Sequence, residues 1–162
     1  MLDQILSQGN LEIFGQLSLA VLLGAAIGME RELARKTAGM RTFALVSMGA
    51  ALFSIISKFA FVEFWGVPGF DPSRIASQVV VGIGFLGAGL IILRQDKIQG
   101  LTTAAGLWVS AAIGMAVGFG LYTVAMFATI LTIIILLVLW AFEHKIVKRL
   151  QYSQDELNNE DR

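Results

Sequence analysis

Apolar residues in this chain come in long blocks, and charged residues fall between the blocks. A helix needs roughly 20 mostly apolar residues to cross the hydrocarbon core of a bilayer. Five stretches meet that requirement: about Leu11 to Met29, Met40 to Val62, Arg74 to Leu93, Leu101 to Gly118 and Leu121 to Phe142. Membrane strands would need only about 10 residues each, with strict alternation. The pattern therefore predicts an all-α fold, a polytopic transmembrane bundle of about five helices over residues 11–142. Residues 1–10 precede it, and residues 143–162 form a polar, acidic tail whose end is expected to be disordered. Only Phe119-Gly120 separate the fourth and fifth stretches, so the chain either turns tightly there or continues as one broken helix.

Lys and Arg set the expected orientation. Arg31, Arg35, Lys36 and Arg41 follow the first stretch, Arg94 and Lys97 the third, and Lys145, Lys148 and Arg149 the fifth. The other side carries only Lys58 and Arg74. The N-terminus is thus expected outside the cell and the C-terminus inside, with 1–10 extracytoplasmic and 143–162 cytoplasmic. The external turn Glu63 to Arg74 holds Trp65 and Pro68 and reads as interfacial, and Trp140 suits the inner interface. No Lys or Arg precedes Arg31, so the first apolar block lacks a signal peptide's basic start and reads as a permanent helix.

Composition agrees and narrows the chemistry. Hydrophobic residues make up 56% of 162 positions and charged residues 15%, against about 45–50% and about 25% in soluble domains. The net charge of zero offers nothing to nucleic acid. The chain has no cysteine and one histidine, His144, which excludes disulfides, thiolate metal sites and a histidine cluster within one chain. No nucleophile–base pair is visible, so an enzyme is not expected, and no cofactor is implied.

The 17 glycines lie mostly inside the apolar blocks, where small residues let helix backbones approach closely. The first block has a four-residue ridge of Glu12, Gln16, Ala20, Gly24 and Gly28. The fourth repeats it with Thr102, Gly106, Ser110, Gly114 and Gly118. The second aligns Ser47, Ala50, Ser54 and Ser57. The third is densest, with Gly82, Gly84, Gly87, Ala88 and Gly89. These glycines read as packing positions, or as the wall of a narrow ligand or ion path. Bulky residues from Ile130 to Trp140 put the fifth helix at the lipid-facing edge. An internal parallel repeat is also suggested, because setting Gly39 on Gly100 aligns Thr42 with Thr103 and Ala50-Ala51 with Ala111-Ala112.

Ionisable groups at membrane depth cost about 2.5–3.5 kcal/mol unless they face protein, water or each other. Two polar clusters stand out. The inner one comprises Glu30, Arg31, Arg41, Thr42, Thr102 and Thr103, with Glu32 beside it, and Glu30 to Arg41 is the expected ion pair. It reads as an interfacial clamp, or as a site for an anion or a partner protein. The outer one comprises Glu12, Asp71, Arg74 and Gln78, where Asp71-Pro72 reads as a helix N-cap. Gly82 to Gly87 spells G-x-G-x-x-G, but without a preceding strand in a βαβ unit it is no dinucleotide loop.

Several of these segments together resemble the MgtC/SapB family of bacterial inner-membrane proteins. They are Gly28-Met29-Glu30-Arg31-Glu32, Gly39-Met40-Arg41-Thr42, Asp71-Pro72-Ser73-Arg74-Ile75-Ala76, Gln78 through Gly89, and Gly100-Leu101-Thr102-Thr103-Ala104-Ala105 with Trp108. The resemblance runs over roughly residues 15 to 120 and is similar to the short, SapB-like branch, without the ACT-like domain of longer members. It implies a multi-pass protein of the bacterial inner membrane linked to magnesium homeostasis. It also implies regulation of a partner membrane complex such as the F-type ATP synthase.

Two functions follow as expectations. The first is a regulatory or interaction protein working through that partner. The alternative is a small ion transporter or channel, for magnesium or another ion, although no acidic residue lies at mid-depth to supply oxygen ligands. The small-residue faces also predict a homo-oligomer, with a symmetric dimer as the default.

Overall fold

The computed structural model describes residues 8–59, 71, 73–94 and 97–160. Among them are five helices long and apolar enough to cross a membrane. In chain order these are α1 (Gln8–Leu33), α2 (Met40–Phe59), α3 (Ser73–Leu90), α4 (Leu101–Gly118) and α5 (Tyr122–Glu160). The expected all-α, multi-pass bundle is what the chain forms. The external turn with Trp65 and Pro68, and the end of the second block at Val62, lie outside the described residues.

The first helix runs on to Leu33 rather than ending near Met29, and two further boundaries differ from expectation. The third helix ends at Leu90 rather than Leu93, and the chain then makes a short antiparallel hairpin of β1 (Ile92–Arg94) and β2 (Lys97–Gln99). Ile91, Ile92 and Ile98 are β-branched and favour extended backbone. Gly100 then takes φ 91° to turn the chain into α4. The second difference is at the end of the chain, where α5 continues to Glu160 and the tail expected to be disordered is helical. No Gly or Pro interrupts residues 121–162, and Lys, Arg, Glu and Gln are good helix formers.

α4 is the centre of the bundle and packs against all four other helices. Its glycines make this possible. A Cβ on Gly118 would stand 2.5 Å from the Ala51 carbonyl oxygen, and one on Gly114 would overlap the Ser47 carbonyl. α1 meets α2 in the same way, with a Cβ on Gly24 falling 2.6 Å from the Phe43 oxygen and one on Gly28 2.6 Å from Met40 Cα. Hydrocarbon tails are as apolar as Leu, so close van der Waals contact, not exclusion of water, holds such helices together. The serine face of α2 lies in this core, with Ser47, Ala50, Ser54 and Ser57 all buried. Ser54 donates back to the Ala50 oxygen at 2.9 Å, and Ser110 of α4 donates to the Phe43 oxygen at 3.1 Å. Among the described residues Phe43 is the largest fully buried side chain, and its ring lies 3.4 Å from the position of a Cβ on Gly106.

α5 is peripheral, as its bulky residues predict, and touches the core through Ala125, Thr129 and Leu136. Phe119-Gly120 form a tight turn. Gly120 takes φ 82°, the Leu121 amide donates to Ala116 at 2.8 Å, and the Gly120 amide to Val117 at 2.9 Å. This bond pair is a Schellman motif, which needs a left-handed residue at the turn. α1 ends in the same motif, with Lys36 bonded to Arg31 and Arg35 to Glu32, but there Arg35 takes the left-handed place at φ 53°.

The suggested repeat has a local counterpart. α2 and α4 each begin one residue after a glycine whose carbonyl accepts the first helical bond, from Phe43 to Gly39 and from Ala104 to Gly100. The aligned threonines differ, Thr42 being exposed and Thr103 buried.

Candidate functional site

The inner polar cluster gathers around a cavity of about 460 Å³ at the end of the bundle where α1 finishes and α4 begins. Arg31, Lys36, Thr102 and Thr103 line its polar side, and Ile135, Leu136, Leu139 and Trp140 of α5 form an apolar wall. Gly100 and Ile98 close the floor from the hairpin side. Arg31 is only 2% exposed, an unusual place for a guanidinium. The turn of α1 that carries it faces the bundle because Ile27 and Gly28, just before it, are buried.

The expected Glu30–Arg41 pair is not formed. Glu30 instead pairs with its neighbour, the Arg31 Nε, while Arg41 stands exposed in the first turn of α2. Arg31 is the cation that points inward, so the carboxylate beside it supplies the compensating charge. Thr42 is exposed too, and neither it nor Arg41 lines the cavity. Glu32 has its own role: its Oε2 accepts the Met40 amide at 3.0 Å and caps the start of α2. The cavity thus unites Arg31, Thr102 and Thr103 of the six predicted residues, and adds Lys36 and Trp140.

The outer residues divide between two places. Glu12 and Gln16 on α1 meet Tyr122 of α5: the Gln16 Nε2 donates to the Tyr122 hydroxyl at 2.9 Å, and that hydroxyl donates to Glu12 at 3.4 Å. Gln16 is 3% exposed and its Oε1 has no partner among the described residues. Tyr122 went unnoticed in the sequence. Its signal was an aromatic with a polar tip placed just after the Phe119-Gly120 turn, where a hydroxyl can reach back to a neighbouring helix.

Asp71, Arg74 and Gln78 stand together at the start of α3. Asp71 accepts the Ser73 hydroxyl at 2.7 Å and the Ser73 amide at 2.9 Å, the expected N-cap. The hydroxyl bond, then the amide bond, and then the Arg74 charge hold its carboxyl below the ordinary 3.8. Arg74 and Gln78 face a groove of about 760 Å³ between α2 and α3 that is otherwise apolar, lined by residues such as Leu45, Phe53, Val79 and Leu86. Gly49 and Gly82 line it too, and a Cβ on either would meet nothing within 4 Å.

The predicted packing glycines therefore fall into two sets. Gly24, Gly28, Gly114 and Gly118 seat neighbouring helices, and a Cβ on Gly87 would meet the Ala104 Cβ at an ordinary 3.7 Å. A Cβ on Gly82, Gly84 or Gly89 of α3 would meet nothing within 4 Å among the described residues. Among the described residues no group of three His, Asp or Glu side chains could hold a metal ion.

Comparison with known proteins places this architecture. The chain is 44% identical over 150 residues to "Putative magnesium transporter YhiD" of Escherichia coli K12, covering 91% of this chain and 70% of that protein. It is 41% identical over 138 residues to an uncharacterized protein of Haemophilus influenzae, covering 83% of this chain and 58% of the relative. It is 47% identical over 112 residues to the protein MgtC of Salmonella typhimurium, covering 69% of this chain and 46% of that protein. No solved structure matches. The model of the MgtC family matches residues 17–145, which take in all five helices from the buried ridge of α1 onward, and the chain belongs to that family.

Proposed function

We propose that this magnesium-linked membrane protein is a regulator of the bacterial inner membrane, docking a helix of a partner complex into the α2–α3 groove. The observation that carries this reading is Gln78. Its amide lies one turn beyond Arg74, in the groove, with no hydrogen-bond partner among the described residues. In hydrocarbon an unpaired amide is costly, and a second helix with a polar group would satisfy it. The open surfaces of Gly49 and Gly82 let such a helix approach closely. The link to magnesium rests on the name of the YhiD relative. The F-type ATP synthase is the partner complex that the family resemblance suggests.

A second reading, a small magnesium transporter, has that relative's name behind it. It also draws on the buried Gln16 Oε1, an unpaired oxygen of the kind hard cations take as ligand.

Two measurements separate them. A photo-crosslinking residue at position 82, activated in living cells, is expected to trap a subunit of the partner complex. An adduct only with a second copy of this chain would assign the groove to a homodimer and overturn the docking reading. Purified protein in vesicles loaded with a magnesium-sensitive dye is expected to give no flux above protein-free vesicles. Saturable magnesium entry would establish transport instead.

A further inference from the structure

We propose that the inner cavity is a binding site for a phosphate group, held by Arg31, Lys36, Thr103 and the first amides of α4, with any acyl chain lying along the α5 wall. The amides of Leu101, Thr102 and Thr103 precede the first intrahelical bond of α4, from Ala104 to Gly100. Among the described residues no side chain makes a capping hydrogen bond at this end. Uncapped amides at a helix start carry partial positive charge and receive anions.

The buried side chains point to a ligand independently. Arg31 is 2% exposed and lines the cavity, yet only its Nε is paired, to Glu30, among the described residues. Its two terminal nitrogens retain their donors for a ligand in the cavity. Thr103 is 3% exposed, lines the same space, and its hydroxyl has no hydrogen bond among the described residues. Lys36 adds a second cation from the adjoining turn. Among the described residues Arg31 and Lys36 together outweigh the Glu30 carboxylate paired to Arg31. A planar fork with free donors, a hydroxyl and a row of amides is the donor set that phosphate oxygens require.

The opposite wall limits what else the ligand carries. Ile135, Leu136 and Leu139 present hydrocarbon directly beside the cations. A phosphate with an attached acyl chain satisfies both walls, whereas a free phosphate satisfies only one. None of these residues belongs to the α2–α3 groove, so this site stands or falls separately from the docking reading.

The test uses the full chain, purified and delipidated in a neutral detergent, with thermal unfolding as readout. Dioctanoyl phosphatidylglycerol is expected to raise the midpoint saturably, and dioctanoylglycerol, which lacks the phosphate, is not. Thr103→Val and Lys36→Gln are each expected to weaken the apparent affinity about tenfold, the loss of one bond to a charged group. They are preferred to Arg31 variants, whose buried guanidinium is also paired to Glu30. A saturable shift by inorganic phosphate of equal affinity would keep the phosphate site and assign it to a soluble ligand. Equal shifts by the phospholipid and dioctanoylglycerol, or wild-type affinity in both variants, would overturn the proposal.

Discussion

Gly114 of α4 lies directly on Ser47 of α2, so close that a Cβ on the glycine would stand 2.9 Å from Ser47 Cα and overlap the carbonyl beside it. Backbone cannot swing aside as a side chain can, and Gly114→Ala must push the two central helices apart. The expected cost is about 1–3 kcal/mol, the range for overpacking a close-packed interior. Gly49→Ala supplies the contrast, because its Cβ enters open space. Unfolding by denaturing detergent in mixed micelles should show the first variant destabilised and the second near wild type.

The Gln16–Tyr122 bond ties α1 to α5 at 2.9 Å. Tyr122→Phe strands the amide of a buried side chain whose oxygen is already unpaired. The loss should be about 1 kcal/mol, between the average of about 0.6 for side-chain bonds in membranes and the larger cost of an orphaned buried group. Adding Gln16→Leu to Tyr122→Phe should then recover part of the loss, and a double-mutant cycle measures the coupling.

Arg35 holds a left-handed conformation at φ 53° where helix ends ordinarily place glycine. A side chain there costs roughly 1–2 kcal/mol. Arg35→Gly is expected to stabilise the protein, and Arg35→Val, whose β-branch is worse still, to destabilise it. Thermal midpoints of the two variants should move in opposite directions.

Asp71 caps α3 as a carboxylate, and its carboxyl is held below 3.8 by Ser73 and Arg74. A group depressed in the fold contributes its full stability above its unfolded value and loses it as pH falls through the folded one. The stability difference between wild type and Asp71→Asn should therefore be constant near neutrality and shrink as pH drops below 3.8. Asparagine keeps a capping oxygen without the charge, so unfolding midpoints of the pair across pH isolate the ionisation.

The chain contains no cysteine, so single cysteines can be introduced without altering it further. A cysteine at Lys36 is expected to react with an impermeant maleimide only in inverted vesicles, and one at Leu121 only in intact cells. The reverse pattern would invert the orientation read from the basic loops.

Helix number, the membrane environment and the small-residue faces were legible in the residues alone. Blocks of about 20 apolar residues admit one solution in a bilayer, and four-residue spacing puts Gln16, Ala20, Gly24 and Gly28 on one face whatever that face meets. The Asp71 cap was legible for the same reason, because it is settled within a few residues. Which charges pair was not. Glu30 is as close in sequence to a bond with Arg31 as it is plausible across the turn with Arg41, and only the burial of the α1 end decided for Arg31. Tyr122 meeting Gln16, a separation of 106 positions, likewise depends on how α5 folds back. The glycines divide on this ground too: spacing marks all of them as small, but the docking of α4 against α2 closes over Gly114 and Gly118 and leaves Gly82, Gly84 and Gly89 uncovered. Local periodicity fixes what a helix offers, whereas the partner that takes up the offer is set by packing between segments far apart in the chain.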